Sequence, residues 1–337
     1  MSPPQGVILI NLGSPDAPEP QAVRRYLAEF LSDRRVVDLP PWLWQPILRG
    51  IVLRRRPPRS ARRYAAIWSA EGSPLVAWTR AQAEGVRERL AGGPERVEVR
   101  YAMRYGHPRL HEALDDLAAC GCSRILLAPL YPQYSGSTTA STLEHAEAWA
   151  QTWARTGAHT YQQVPALPAL ESFSTAPQYI DALAARVEDH WQRHGHGELL
   201  VLSFHGLPQR MVDRGDPYAA QCVATAEALA QRLQLAPQQW RLAYQSRFGF
   251  ARWLEPALDR VLDESLASGT RQLDLLCPGF VSDCLETLEE IGIEASARVA
   301  ARGGELRCIP CLNDHPAWLD GLATLLQQRL DAAPEDA

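Results

Sequence analysis

The chain has 337 residues, which at roughly 150 residues per domain points to about two domains rather than one small module. Its 34 basic and 39 acidic residues leave a charge of -5, and 46% hydrophobic with 22% charged residues is ordinary globular composition, so neither a global positive field for nucleic acid nor a disordered chain is indicated. Every basic residue is an arginine, which excludes Schiff-base lysine chemistry, a pyridoxal-phosphate anchor and a Walker A loop, because each needs an amine.

The first residues, Met-Ser-Pro-Pro-Gln, lack the charged start of a secretory signal and lead straight into a strand-like run at 7–12. No acidic residue occurs between Asp38 and Glu71. Within that stretch Trp42, Leu43, Trp44, Ile47 and Leu48 are followed by Arg49, Arg54, Arg55, Arg56, Arg59, Arg62 and Arg63. The apolar stretch at 39–53 is broken by Gln45 and Arg49 and is shorter than the roughly 20 residues of a spanning helix. An apolar, tryptophan-rich lip beside an arginine cluster fits peripheral docking of 40–63 on an anionic membrane surface.

Further strand-like runs follow at 97–102, 125–128, 159–164, 199–204, 241–245, 273–277 and 306–309, separated by amphipathic stretches. Eight strands alternating with helices predict an α/β fold of two Rossmann-like, doubly wound domains, each with a four-stranded parallel sheet flanked by helices. The expected division is 1–165 plus a C-terminal helix within 317–337 for the first domain and 166–316 for the second. Leu126-Leu127-Ala128-Pro129 echoes Leu275-Leu276-Cys277-Pro278, each closing a third strand. Seven cysteines, an odd number without a framework spacing, point to a reducing, cytoplasmic compartment.

Ligands of open α/β sheets bind beyond the carboxyl ends of strands. There the sequence places Gly13-Ser14-Pro15, Arg104-Tyr105, the run from Tyr131 to Ser137, His205-Gly206-Leu207-Pro208, Ser246-Arg247-Phe248-Gly249 and Pro278-Gly279-Phe280. Aromatics, prolines and glycines outnumber charges, which suits a flat apolar ligand, and no GxGxxG is present. His205, at a strand end, is placed to accept protons near neutral pH. Asp283, Glu286, Glu290 and Glu294 are spaced three, four and four apart, which predicts one stripe on an α-helix opening directly after Phe280. Stacked like charges are destabilising unless cations or mobile protons use them. Of the histidines His107, His111, His145, His159, His190, His194, His196 and His315, the pair His107 and His111 is singled out for a metal spacing of four, and all are assigned to surface or core.

With these residues in view, the sequence resembles the ferrochelatase family, whose enzymes insert ferrous iron into a porphyrin in the last step of haem synthesis. The resemblance runs through residues 8–15, Phe30-Leu31-Ser32-Asp33, Glu71-Gly72-Ser73-Pro74-Leu75, Met103-Arg104-Tyr105, residues 131–139, Ser203-Phe204-His205-Gly206-Leu207-Pro208, Gly215-Asp216-Pro217-Tyr218, Tyr244-Gln245-Ser246-Arg247, Trp253-Leu254 and residues 277–288. It implies that His205 and Glu286 are the catalytic pair, that Leu12, Arg104, Tyr131, Tyr218 and Trp253 line the porphyrin, and that Asp283, Glu290 and Glu294 continue an acidic line serving iron with His205 and Glu286. Which of His205 and Glu286 takes the pyrrole protons and which guides iron stays open.

Two departures stand out. Many relatives carry a histidine where this chain has Cys284, which here reads as a small apolar residue. Cys308-x-x-Cys311 supplies two ligands where a [2Fe-2S] cluster needs four, and no cysteine follows it, so the expectation is no cluster and no tightly bound cofactor, with Fe(2+) as substrate. The expected partners are porphyrin and ferrous iron, with no nucleic acid, in a monomer. The rival readings are a chelatase for another tetrapyrrole or metal, such as coproporphyrin or cobalt, and a carrier that binds without catalysis.

Overall fold

Seven of the eight expected runs form parallel strands in a computed structural model, which describes residues 3–93, 96–156, 164–247 and 251–332. They are β1 (Gln5–Ser14), β2 (Val97–Gly106), β3 (Arg124–Pro129), β4 (Leu199–His205), β5 (Trp240–Gln245), β6 (Gln272–Leu276) and β7 (Glu305–Cys308). The chain divides into two compact units, one of Met1–Leu130, Gly136–Glu171 and Leu322–Ala337, the other of Tyr131–Ser135 and Ser172–Gly321.

In the first unit the strand order is β2-β1-β3. Ile8 and Ile10 pack on one face with Leu114, Leu117 and Trp149. Val7 and Leu9 point to the other face and are equally buried, which is why β1 reads as a continuous apolar run. Gly13 has φ +112°, and a Cβ there would lie 1.7 Å from the Tyr105 carbonyl oxygen, so only glycine lets β1 and β2 close here.

The eighth expected run, 159–164, lies outside the described residues except for Val164, which is in no strand. Beside β3 runs the segment 166–170: the Ile125 and Leu127 amides donate to the Ala166 and Pro168 carbonyls at 2.8 Å, and Leu170 N–H donates back to Leu127 at 2.9 Å. Pro165 and Pro168 have no amide hydrogen, so this edge amounts to isolated bridges at Ala166 and Ala169 rather than a ladder. The final helix, Pro316–Asp331, is closed by Arg124, whose guanidinium donates to the carbonyls of Leu330 at 2.7 Å and Arg329 at 3.1 Å.

In the second unit the order is β5-β4-β6-β7, over a core that includes Val201, Leu262, Leu273, Leu275 and Val299. Each sheet thus puts its first strand between its second and third, and 166–170 stands where β7 stands in the second. That order reverses direction at the first strand, so the carboxyl ends of β4, β5 and β6 form the crevice where an open sheet binds its ligand. Among the described residues no helix is long and apolar enough to cross a membrane.

Candidate active site

His205 is the last residue of β4 and is half-buried. Its Nδ1 lies 2.7 Å from the Gly206 carbonyl oxygen. A carbonyl can only accept, so Nδ1 carries the hydrogen and Nε2 holds the lone pair of the neutral ring. The backbone behind the ring is fixed twice: Tyr218 Oη donates to the His205 carbonyl at 3.0 Å, and Gly206 N–H donates to the Gln245 carbonyl at 2.8 Å. A Cβ at Gly206 would fall 2.6 Å from that Gln245 oxygen and 3.2 Å from the Trp253 ring, so the turn after His205 requires glycine.

The acidic stripe differs from its sequence expectation at its start and in its winding. The helix is wound with i to i+5 bonding over Glu286–Ala295 and becomes α-helical over Ser296–Ala300. Asp283 precedes it rather than sharing its face. Its carboxylate is buried and accepts from Thr287 Oγ1 at 2.9 Å, Asn313 Nδ2 at 2.7 Å and Cys311 N–H at 3.4 Å. With those acceptor sites filled, Asp283 ties the loop after β6 to the segment after β7.

Glu286 and Glu290 are half-buried and Glu294 is exposed, so the remaining three acids step from interior to surface. The Glu290 carboxyl is raised above its ordinary range, first by burial and then by the Glu286 charge, while hydrogen bonds from Ser246 and the field of His205 pull it back. Glu286 and His205 therefore both act electrostatically on Glu290. Glu290 and Glu294 line a cavity of about 660 Å³ in the second unit together with Ser246, Arg247, Trp253 and Arg298.

Gln245 joins these parts and is itself buried. Its Oε1 accepts from Ser203 Oγ at 2.7 Å and from the Cys277 thiol at 3.4 Å, and its Nε2 donates to the Glu286 carbonyl at 3.3 Å. The ends of β4, β5 and β6 and the first turn of the acidic helix meet on this one side chain. The loop carrying Tyr131 is held in the same unit, with Gln133 Nε2 donating to Thr225 Oγ1 at 2.9 Å and Ser135 Oγ to Asp216 at 2.9 Å. Cys284 is buried, and burial, reinforced by the neighbouring Glu286 carboxylate, pushes its thiol well up, which keeps it protonated and apolar.

Leu12 and Arg104 belong to the first unit. Leu12 is half-buried near the end of β1. Arg104 donates from Nη2 to Asp33 at 2.8 Å and from Nε to Ser141 Oγ at 3.0 Å, with its guanidinium 4.5 Å from the Tyr105 ring centre. Burial alone would raise Asp33, but bonds from Ser141, Tyr105 and the Arg35 amide together with the Arg104 charge outweigh it and hold the carboxyl below its usual range.

Among the described residues no group of three or more His, Cys, Asp or Glu side chains is arranged to hold a metal ion. The spacing of four at His107 and His111 is not used as a pair: His107 Nδ1 meets Asp16 at 2.9 Å, and the His111 ring neighbours His145, whose pKa burial lowers to about 4. The same spacing occurs at His190 and His194, whose rings lie 4.8 Å apart, with His190 Nε2 3.3 Å from the buried Asp274. His159 lies outside the described residues, as do Phe248 and Gly249.

The family model of ferrochelatase matches residues 4–330. The chain is 47% identical over 332 residues to a ferrochelatase of Polaromonas sp., covering 98% of this chain and 88% of its relative. It is 48% identical over 324 residues to one of Xylella fastidiosa, covering 96% and 97%. Among solved structures it is similar in fold to SirB from Bacillus subtilis with Fe3+, at TM-score 0.57 and 12% identity over 97% of this chain and 96% of that one. The sirohydrochlorin chelatase SirB of Bacillus subtilis subspecies spizizenii in complex with cobalt gives TM-score 0.55 at 11% identity over 99% and 97%. With a family model spanning nearly all of its length and relatives close to half identical, this chain belongs to the ferrochelatase family.

Proposed function

We propose that this chain inserts Fe(2+) into protoporphyrin IX, releasing two protons to give protohaem, with His205 and Glu286 as the catalytic pair. Each turnover breaks two pyrrole N–H bonds and forms four Fe–N bonds, so the site needs a base at the ring centre and a route for charge. The observation that carries the reading is the His205 ring, with Nδ1 donated to Gly206 and Nε2 left as a base, within the field of Glu290, which also feels Glu286. This favours His205 as proton acceptor and the row Glu286, Glu290, Glu294 as the path for iron inward and protons outward. Leu12, Arg104, Tyr131, Tyr218 and Trp253 are proposed to bind the porphyrin. No [2Fe-2S] cluster and no tightly bound cofactor belongs to this reading, and iron enters as substrate.

The test is anaerobic Fe(2+) offered with protoporphyrin, coproporphyrin and sirohydrochlorin in parallel, followed by absorbance. The reading expects haem from protoporphyrin at the highest rate; turnover of sirohydrochlorin alone, or binding of tetrapyrrole without metal insertion, refutes it.

The proposed partners beyond substrate are an anionic membrane surface and no nucleic acid, for a cytoplasmic monomer that docks peripherally. Trp42 is 77% exposed at the start of the helix Pro41–Ile47, with Leu39, Leu43 and Ile51 also exposed, whereas Trp44 turns inward and donates to the Leu31 carbonyl at 2.6 Å. The helix Leu53–Ile67 then carries Arg54, Arg55, Arg56, Arg59, Arg62 and Arg63. An outward indole next to clustered arginines suits a headgroup boundary. Changing Trp42, Leu43 and Ile51 together to serine is expected to weaken cosedimentation with vesicles containing phosphatidylserine by about tenfold or more; unchanged partitioning contradicts the docking.

A further inference from the structure

Ser246 follows β5 and has φ +62°, a left-handed backbone that a residue other than glycine adopts only where its surroundings impose it. In that conformation both of its donors face one group: its N–H donates to Glu290 Oε1 at 2.7 Å and its Oγ to Glu290 Oε2 at 2.6 Å. One residue thus takes both oxygens of one carboxylate, at a point where Ser246 and Glu290 line the same cavity. An extended or right-handed Ser246 turns its amide elsewhere, so the unusual backbone and the pair of bonds are one feature. The residue before it is equally committed, since Gln245 accepts from Gly206 and donates to the Glu286 carbonyl. The two consecutive residues connect the His205 strand end, the start of the acidic helix and its second acid.

We propose that Ser246 is a positioning residue, which clamps the Glu290 carboxylate through two hydrogen bonds from one left-handed residue and so keeps it in register with His205 and Glu286. The clamp rests on the iron-insertion reading given above. It differs from a turn that merely links β5 to the next segment, because such a turn has no need of the hydroxyl and is best served by glycine.

The experiment compares Ser246→Gly, Ser246→Ala and Ser246→Asn in the full chain with anaerobic Fe(2+) and protoporphyrin IX, recording kcat and the porphyrin KM. Glycine keeps the backbone conformation and the amide donor but loses the hydroxyl, and asparagine tolerates the left-handed region while restoring a side-chain donor. Ser246→Gly and Ser246→Ala are expected to lower kcat about tenfold with the porphyrin KM within about twofold, the size of one lost bond to a charged group. Ser246→Asn is expected to recover to within about threefold of wild type. On a Glu290→Gln background Ser246→Gly is expected to cost less than about twofold, since the clamp then has no carboxylate to hold.

A Ser246→Gly enzyme at wild-type kcat, or losses that multiply on the Glu290→Gln background, overturns the clamp; if that background is too slow to read, the order of the three Ser246 variants decides. Should His205→Ala abolish turnover while Ser246→Gly does not reduce it, only the clamp fails. Turnover that survives both His205→Ala and Glu286→Ala removes the underlying reading instead.

Discussion

Iron insertion is expected to slow by about 10²- to 10⁴-fold when His205 becomes alanine, the usual contribution of a positioned general base. The size follows from the tautomer. With Nδ1 held by the Gly206 carbonyl at 2.7 Å, the ring presents a single unprotonated nitrogen and cannot rotate without losing that bond. The Tyr218 hydroxyl and the Gln245 carbonyl fix the backbone on either side, so the substitution removes the base and leaves its frame. Single-turnover haem absorbance under anaerobic conditions measures the loss, and porphyrin binding by tryptophan quenching is expected to stay within about threefold of wild type. A loss confined to porphyrin affinity would make the imidazole a binding group.

Glu286→Gln is expected to lower kcat by about 10²-fold or more, because an amide of the same shape neither carries charge for iron nor accepts a second proton. It has a second, separable consequence. The Glu286 charge is one cause of the raised Glu290 carboxyl, after burial, so removing it returns Glu290 towards its ordinary range. Where ionised Glu290 is needed, the acid limb of the residual activity therefore moves to lower pH in the variant, read from kcat between pH 5 and 8. A limb that moves to higher pH, or does not move, shows that the two acids do not share a field during turnover.

The features legible in the sequence were those set by local pattern. β-branched and leucine-rich runs marked strands because both faces of a parallel sheet are covered, and His205 was recognisable as the first polar side chain with a charge switch after such a run. The spacing of Glu286, Glu290 and Glu294 was equally visible, since positions four apart stay near one face even where the helix widens. Features set by distant partners were hidden. Asp283 reads as a fourth acid of the stripe, yet its carboxylate is filled by Asn313 and Cys311, about thirty residues further on. Arg104 reads as a residue just beyond a strand's carboxyl end, but nothing in the sequence marks Asp33, from a different part of the first unit, as the partner of one arm of its guanidinium. No propensity scale marks Ser246 as left-handed, and the Glu290 carboxylate that meets both of its donors lies 44 residues further on. Beside β3 the described segment that supplies the bonds is broken by Pro165 and Pro168, so no continuous apolar run marks it in the sequence.

The central claim is that the imidazole and the acidic row serve the middle of the same macrocycle. A crystal structure of the chain with metal-free protoporphyrin bound tests it most directly. The prediction is His205 Nε2 facing the pyrrole nitrogens at about hydrogen-bond distance, with the Glu286 carboxylate reaching the same ring centre and Glu290 and Glu294 leading away from it to solvent. A porphyrin seated elsewhere, or one whose centre meets only one of the two side chains, contradicts it.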